Sequence, residues 1–420
     1  MKRFAMVTLR IGLFSILVWG WASVVGAQQP YWPRFHGPNE NNISSDKGLL
    51  QQWPKGGPPL VWTAKDIGEG YAGVTLAHGL IYTAGNIDNK MVITALTLGG
   101  KVKWQVPNGE AYKKSYPGSR GTPTIDGDRL YHESPNGDLI CLNAITGRKI
   151  WSENILKKFK GKQVRWALAE SVLIDGEHVI CCPGGSKTAM VALNKRSGKT
   201  VWQSPAAEGD LAGYASPMLI EQDGLRIILT MTDKALIGVN ADSGQLLFRY
   251  AHPTKYDVNA MMPLYHKSRI LISSGYGTTG TESLKLTVRG KKASVEKVWA
   301  KNQLDNHHGG IVLYKKFIYG AGHNSGKGKW MCLSWNTGRI MWAAKGVGKG
   351  SITCADGMLY TMSETRNVGL VRPTPEKYEL ISEFEIPRGG KGKSWAHPVV
   401  CGGRLYIRHG NFLYAYNVAK

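Results

Sequence analysis

Six cysteines stand in a chain of 420 residues, and none completes a CxxC, a CxxCH or a zinc-ligand spacing. Attached c-type haem and structural zinc are therefore not expected, since both need ligands at fixed short separations. Most of the six lie in apolar, strand-like runs, where a thiol packs as a small hydrophobe. Acidic groups are scarce as well: 30 Asp and Glu face 53 Lys and Arg. Such a surface attracts polyanions and anionic envelopes, and it carries no information about fold. GxSxG and HExxH are both missing, which removes the local signatures of a serine hydrolase and a zinc protease. That absence does not touch acids and bases brought together from separate segments. Residues 275–280 do fit GxGxxG, but the strand-like SLKLTV at 283–288 follows where a dinucleotide site requires a helix, so the stretch reads as a glycine-rich hairpin turn.

Long apolar runs are limited to residues 11–25, behind Lys2, Arg3 and Arg10 and ahead of Val25, Gly26 and Ala27. A charged start, an apolar centre and a small-x-small end describe a signal peptide over 1–27, with the mature chain beginning at Gln28. The run is short for a membrane span, and no cysteine follows the cleavage point as a lipoprotein would need. Export to the periplasm or beyond the cell is expected, with no transmembrane span in the mature chain. Residues 28–59, rich in Pro, Gly and Asn, read as an irregular arm lying across the main body.

What is abundant is glycine (52) and tryptophan (14), a mixture that suits many short strands and tight turns. One unit recurs. LNAITGRKIW at 142–151 is a strand end, a polar turn closed by Gly147 and a return strand ending on an aromatic. Copies are LNKRSGKTVW at 193–202, VNADSGQLLF at 239–248 and SWNTGRIMW at 334–342, with a weaker one, LTLGGKVKW, at 96–104. A second pattern marks eight unit fronts, in which a Pro or apolar residue precedes an apolar or aromatic one by eight positions: Val74 to Tyr82, Pro123 to Tyr131, and so on to Pro398 to Tyr406, with a stretched copy at Pro217. Turns such as Asp126-Gly127 and Asp356-Gly357 between them favour hairpins. Aromatic outer ends number seven, from Trp104 to Phe384, spaced by 42 to 51 residues. The eighth lies at the other end of the chain, in Leu60-Val61-Trp62. The expectation is an all-β, eight-bladed propeller of four-stranded antiparallel blades over residues 60–420, whose last blade is completed by the N-terminal strand near Leu60 and Trp62, closing the ring without free sheet edges. A monomer is expected.

These turns resemble the tryptophan-docking repeats of pyrroloquinoline-quinone (PQQ) type propellers, and the likeness runs over nearly the whole chain after the leader. The compact exported members, similar to the outer-membrane β-barrel assembly propeller, are the nearer likeness; the family usually has Asp where Asn143, Asn194 and Asn240 stand. For the quinoprotein dehydrogenases among them, the resemblance implies PQQ over a calcium ion on the propeller axis. Glu170 is then the candidate calcium ligand, and Cys181 with Cys182 corresponds to the vicinal disulfide beside the quinone, although no axial Asp accompanies them.

Aligning the fronts locates the axis. Two positions before each front stand Ala72, Gly121, Glu170, Ala215, Met261, Gly309, Gly350 and Ala396, six of the eight being Gly or Ala that let inner strands crowd together, with Glu170 the intruding charge. A buried carboxylate needs a partner, and an arginine pair is expected for it ahead of a metal. One position earlier stand Tyr71, Arg120, Ala169, Tyr214, Ala260, His308, Lys349 and Trp395, a ring of aromatic and cationic groups. Tyr71, Arg120, Tyr214, His308, Lys349 and Trp395 of this ring, together with Trp166, Glu170 and His397, are the candidate funnel-mouth binding residues. His307 beside His308 has no metalloprotease context and is read as shaping the mouth. Lysine-rich loops at 157–162, 327–329, 345–349 and 388–393, with Tyr112 and Tyr116 at 112–116, fall on the same face. The sequence thus points to an exported, non-catalytic binding or scaffold protein with no cofactor, whose partner is an anionic glycan, an envelope component or an acidic protein segment; export makes nucleic acid an unlikely guest. The alternative is a PQQ- and calcium-dependent dehydrogenase of an alcohol or sugar, with Glu170 near the metal.

Overall fold

The structure is a computed structural model that describes residues 1, 29–276 and 280–420. The leader expectation falls on residues that, Met1 apart, lie outside this set. Eight sheets are arranged as the repeats require. The first blade runs from the inner strand Thr75–Ala77 through Leu80–Ile87 and Lys90–Thr97 to the outer strand Val102–Glu110. The pattern recurs until Val399–Cys401, Arg404–His409 and Phe412–Asn417, whose missing fourth strand is supplied by Leu60–Ala64 in antiparallel register. Among the described residues the only α-helix is the five-residue Ile155–Phe159, and no helix is long and apolar enough to cross a membrane.

The front spacing has a direct geometric meaning. Thr75 pairs with Tyr82, Thr124 with Tyr131, Leu173 with Ile180 and Val399 with Tyr406, so each front sets the same hairpin register between inner and second strands. The side chains buried between neighbouring sheets then form one apolar cluster per blade interface, such as Tyr131, Cys141, Val179 and Leu193 between the second and third blades. In the GxGxxG stretch, Arg269–Ser273 and Thr281–Arg289 are strands on either side, which rules out the helix a dinucleotide site needs; residues 277–279 lie outside the described set.

Blades are fastened to each other by the aromatic ends. The Trp104 indole donates to the carbonyl of Ile145 in the next blade at 3.1 Å, Trp151 to Lys195 at 2.9 Å, Trp202 to Ala241 at 3.1 Å and Trp299 to Trp335 at 3.1 Å. Trp62 closes the ring by donating to Leu98 at 3.0 Å. The turn glycine is demanded twice over. Gly147 has φ +74°, and a Cβ there would stand 2.9 Å from the Trp104 ring. Asn143 holds the same turn by accepting from the Thr146 amide at 2.9 Å and its hydroxyl at 2.8 Å.

At the closing seam Arg408 is fully buried. Its guanidinium donates to the carbonyls of Gly68, Ala72, Ala84 and Gly410 at 2.6–3.0 Å and to the Thr83 hydroxyl at 2.6 Å, all but Gly410 lying in or beside the first blade. Burial with no carboxylate among these partners lowers its pKa to about 9.

The later part of the arm lies across the ring, with Trp53 on Ser382 and Phe384 of an outer strand, but the first part does not. It enters the axial channel and doubles back inside it. Trp32 exchanges backbone hydrogen bonds with Leu76 at 2.8 and 2.9 Å, and the Ile125 amide donates to Pro33 at 2.7 Å, so the chain rises along two inner strands toward the mouth. It turns at 37–40, braced by an Arg34–Glu40 ion pair at 3.0 Å. The return limb, Ile43–Ser44, adds a parallel fifth strand to the inner edge of Gly350–Ala355 and leaves past Asp356, which accepts from the Leu49 amide at 2.9 Å. The physical reason is that inner strands expose unpaired backbone groups to the axis, and the arm satisfies several of them while burying Trp32.

Candidate functional site

Inner strands start at the mouth and end at the opposite face, so residues just ahead of each front converge around one opening. There a cavity of about 360 Å³ is lined by the whole ring expected from the alignment: Tyr71, Arg120, Ala169, Tyr214, Ala260, His308, Lys349 and Trp395. Trp166 and His397 line it too. The floor is the arm, through Phe35, whose ring lies 4.0 Å from that of His36 and 5.1 Å from His397. The plug therefore turns a through-channel into a funnel closed at one end. Beneath it the axial positions carry small residues because adjacent blades touch backbone to backbone: a Cβ on Gly309 would stand 2.0 Å from the Gly350 carbonyl.

One wall is aromatic. Trp395 has Tyr71, Tyr116 and His308 around it with ring centroids at 4.9, 4.8 and 4.7 Å, tilted by 39–50°. Arg120 lies 5.9 Å from the Tyr71 ring centre and 5.2 Å from that of Tyr112, and its Nη2 donates to the Tyr116 carbonyl at 2.7 Å. No carboxylate pairs with it among the described residues, its Nη1 is buried without a hydrogen-bond partner, and burial lowers its pKa. The indole N–H of Trp395 is buried and unpartnered in the same way.

The opposite wall is a charged and histidine-rich cluster. Lys349 Nζ stands 2.8 Å from Glu364 and 2.7 Å from His323 Nδ1, so His323 accepts there and is neutral. His308 lies 3.5 Å from the same carboxylate. These are close contacts, ionic for Lys349, whose angles are not those of hydrogen bonds to Glu364 Oε1. Burial works to raise the Glu364 pKa, but His308 and Lys349 outweigh it and hold the carboxyl down to about 2. Burial also keeps His307 and His308 below the ordinary histidine range, and holds His323 and His397 down to about 4. His397 donates Nε2–H to the His308 carbonyl at 2.7 Å, which leaves its Nδ1 to accept from His36 of the arm at 3.1 Å. At neutral pH the lining thus carries cations on Arg120, Lys349 and Lys393 against the single carboxylate of Glu364.

Glu170 sits elsewhere. It is buried below the mouth and takes no part in the cavity lining. The arginine partner expected for it is not there among the described residues. Instead its Oε1 accepts from the Cys182 amide at 2.7 Å, and its neighbour is the buried carboxyl of Glu133, both of whose oxygens lack a hydrogen-bond partner. Burial raises both pKa values, and the Glu170 charge raises Glu133 further. Cys181 and Cys182 are free, buried thiols, and burial raises their pKa values as well. A calcium ion asks for six to eight oxygen ligands. This donor set does not fit one: two buried carboxyls whose pKa values burial raises, one already accepting from an amide, stand beside two thiols. Among the described residues no group of three or more His, Cys, Asp or Glu is placed to hold a metal.

Phe35, Tyr276, His323 and Glu364 are among the lining residues that the front alignment does not reach. Phe35 belongs to the arm, while Tyr276, His323 and Glu364 lie one to three residues past the ends of second strands, a position the fronts do not sample. Lys157 and Lys158 lie on the helix Ile155–Phe159, and the other lysines of 157–162 and 388–393 are carried by the loops that lead into inner strands. Of these Lys393 reaches the cavity, whereas Lys157 and Lys162 stay exposed outside it.

A closed eight-bladed ring, docked through tryptophans and open at one axial mouth, defines the class of the PQQ-like repeat propellers. Within it, the family model described as outer membrane protein assembly factor BamB matches residues 88–344, more than half of the chain, and the protein belongs to that family. Among solved structures, BamB from Moraxella catarrhalis is 14% identical over 85% of this chain and 97% of that one, with a TM-score of 0.60. Quinohemoprotein alcohol dehydrogenase from Comamonas testosteroni is 13% identical over 94% and 82%, with a TM-score of 0.66. A europium-containing methanol dehydrogenase is 11% identical over 91% and 90%, with a TM-score of 0.65. At these identities the likeness is one of fold. A comparison with curated proteins finds no match.

Proposed function

We propose that the protein is an exported, non-catalytic binding protein of the cell envelope that captures an anionic partner at its mouth. The observation that carries this is the dead-ended cavity, where Arg120, Lys349 and Lys393 face one carboxylate that is already paired. Exposed lysines on the surrounding loops extend the same sign of charge outward and would steer a polyanion toward the opening. Membership of the BamB-like family and the signal-like residues 1–27 support an envelope scaffold rather than a cytoplasmic enzyme. The dehydrogenase reading loses its main residue, because Glu170 faces Glu133 and Cys182 rather than the cavity.

The test is capture of a labelled anionic polysaccharide by the protein and by a variant with the lysines and arginine at 157–162 and 388–393 reversed to glutamate. Capture should fall at least tenfold and weaken with added salt, with the melting temperature unchanged. Undiminished capture would reject this mouth, and calcium-stimulated dye reduction after adding PQQ would reject the non-catalytic reading.

A further inference from the structure

The cavity wall contains two donors that the protein itself leaves without acceptors. Arg120 Nη1 and the Trp395 indole nitrogen are both buried and unpartnered, and both groups lean on the Tyr71 ring, at 5.9 Å and 4.9 Å. A buried donor without an acceptor is costly, and a buried cation without a counter-charge more so, unless something completes it. Neither tryptophan N–H nor guanidinium can accept, so the missing group must be an acceptor, and the guanidinium favours one with negative charge. Lys393 adds a second cation to the same lining, while Glu364 on the far wall is held by Lys349.

The remainder of the wall narrows the choice. Tyr71, Tyr116 and His308 surround Trp395 as tilted rings, a surface that receives the C–H face of a puckered sugar ring and offers no pair of parallel faces for a planar guest. A volume of about 360 Å³ lies near the small end of ligand cavities, so it admits the end of a saccharide and not a folded segment. The arm closes the floor through Phe35, which prevents a polymer from threading the axis.

We infer that the mouth cavity takes the terminal sugar of a carboxylated saccharide, a uronic acid, whose carboxylate completes Arg120 and Trp395 while its ring packs on the aromatic wall. This rests on the reading of the mouth as an anionic binding site and names its ligand. A carboxylate is favoured over a sulfate ester because its two coplanar oxygens suit the planar guanidinium of Arg120. Arg120 acts as the charge partner and Trp395 both as donor and as platform.

Calorimetric titration of the full chain with digalacturonate tests this, with the uncharged galactose disaccharide, a galactose sulfate and a tetraglutamate peptide as comparisons. Digalacturonate should bind, and the other three at least tenfold more weakly. Trp395→Phe, which keeps a ring and deletes the N–H, should weaken digalacturonate binding about tenfold, and Arg120→Gln more than tenfold. Capture of polyanions without measurable digalacturonate binding would overturn this inference and leave the anionic mouth standing. Loss of both would overturn the two together. Equal binding of the peptide or the sulfate would overturn the assignment of a carboxylated sugar, and unaltered affinity in Trp395→Phe and Arg120→Gln would place the ligand elsewhere.

Discussion

At the residue scale the molecule separates buried charges it satisfies from those it leaves open. Arg408 is satisfied by carbonyls and a hydroxyl and serves the seam between the last and first blades. Arg120, half-buried at the mouth, keeps a buried Nη1 with no hydrogen-bond partner. Glu133 belongs to neither class, because no donor meets it and Glu170 stands against it. Its folded-state pKa is raised, so its contribution to stability is present below the ordinary carboxylate range and is lost as pH climbs through the raised value. Glu133→Gln should therefore flatten the fall of melting temperature as pH climbs above the ordinary carboxylate range and leave the acid side unchanged. Parallel pH curves for the two proteins would contradict the assignment. The intrusion of Glu170 among small axial residues is visible in the aligned fronts, but its partner is not, since Glu133 comes from the end of another blade's second strand and no local spacing links the two.

At the scale of elements, the repeated turn is where sequence and structure agree most closely. The glycine, the Asx residue and the distant aromatic each have a separable job: positive φ, a side-chain-to-backbone hydrogen bond, and docking on the next blade. A comparison of two turn glycines isolates the docking. Gly147 and Gly127 both have positive φ, +74° and +54°, but only at Gly147 would a Cβ meet a tryptophan ring, while at Gly127 nothing lies within 4 Å. Gly147→Ala should cost about 2 kcal/mol in chemical denaturation and Gly127→Ala about 1. Equal losses would mean that backbone strain alone sets the requirement. The arm was the element least legible in sequence. Its Pro, Gly and Asn content announces irregular backbone, but what it pairs with is the free inner edge of a ring that exists only after the blades have closed. Hydrophobic periodicity cannot report a partner of that kind.

At the scale of the whole molecule, function is separated from architecture along the propeller axis. The docking tryptophans turn on the outer edge, and the opposite end of the inner strands gathers aromatic rings, cations and neutral histidines from all eight blades around one closed funnel. The eight-fold repeat made that ring readable, because the same offset ahead of every front delivers a lining residue. The wall contributed by Tyr276, His323 and Glu364 was hidden for the complementary reason that second-strand exits vary in length and share no common offset. Family membership supports the fold and leaves the ligand open, so the central claim is that this end, and not the tryptophan-docked edge, meets the partner. Hydroxyl-radical footprinting of the intact protein with a saturating polyuronate tests it directly. The account predicts protection of Tyr116, Trp166 and Trp395 with Trp104, Trp151 and Trp299 unchanged; protection of the docking tryptophans with an unprotected mouth would contradict it.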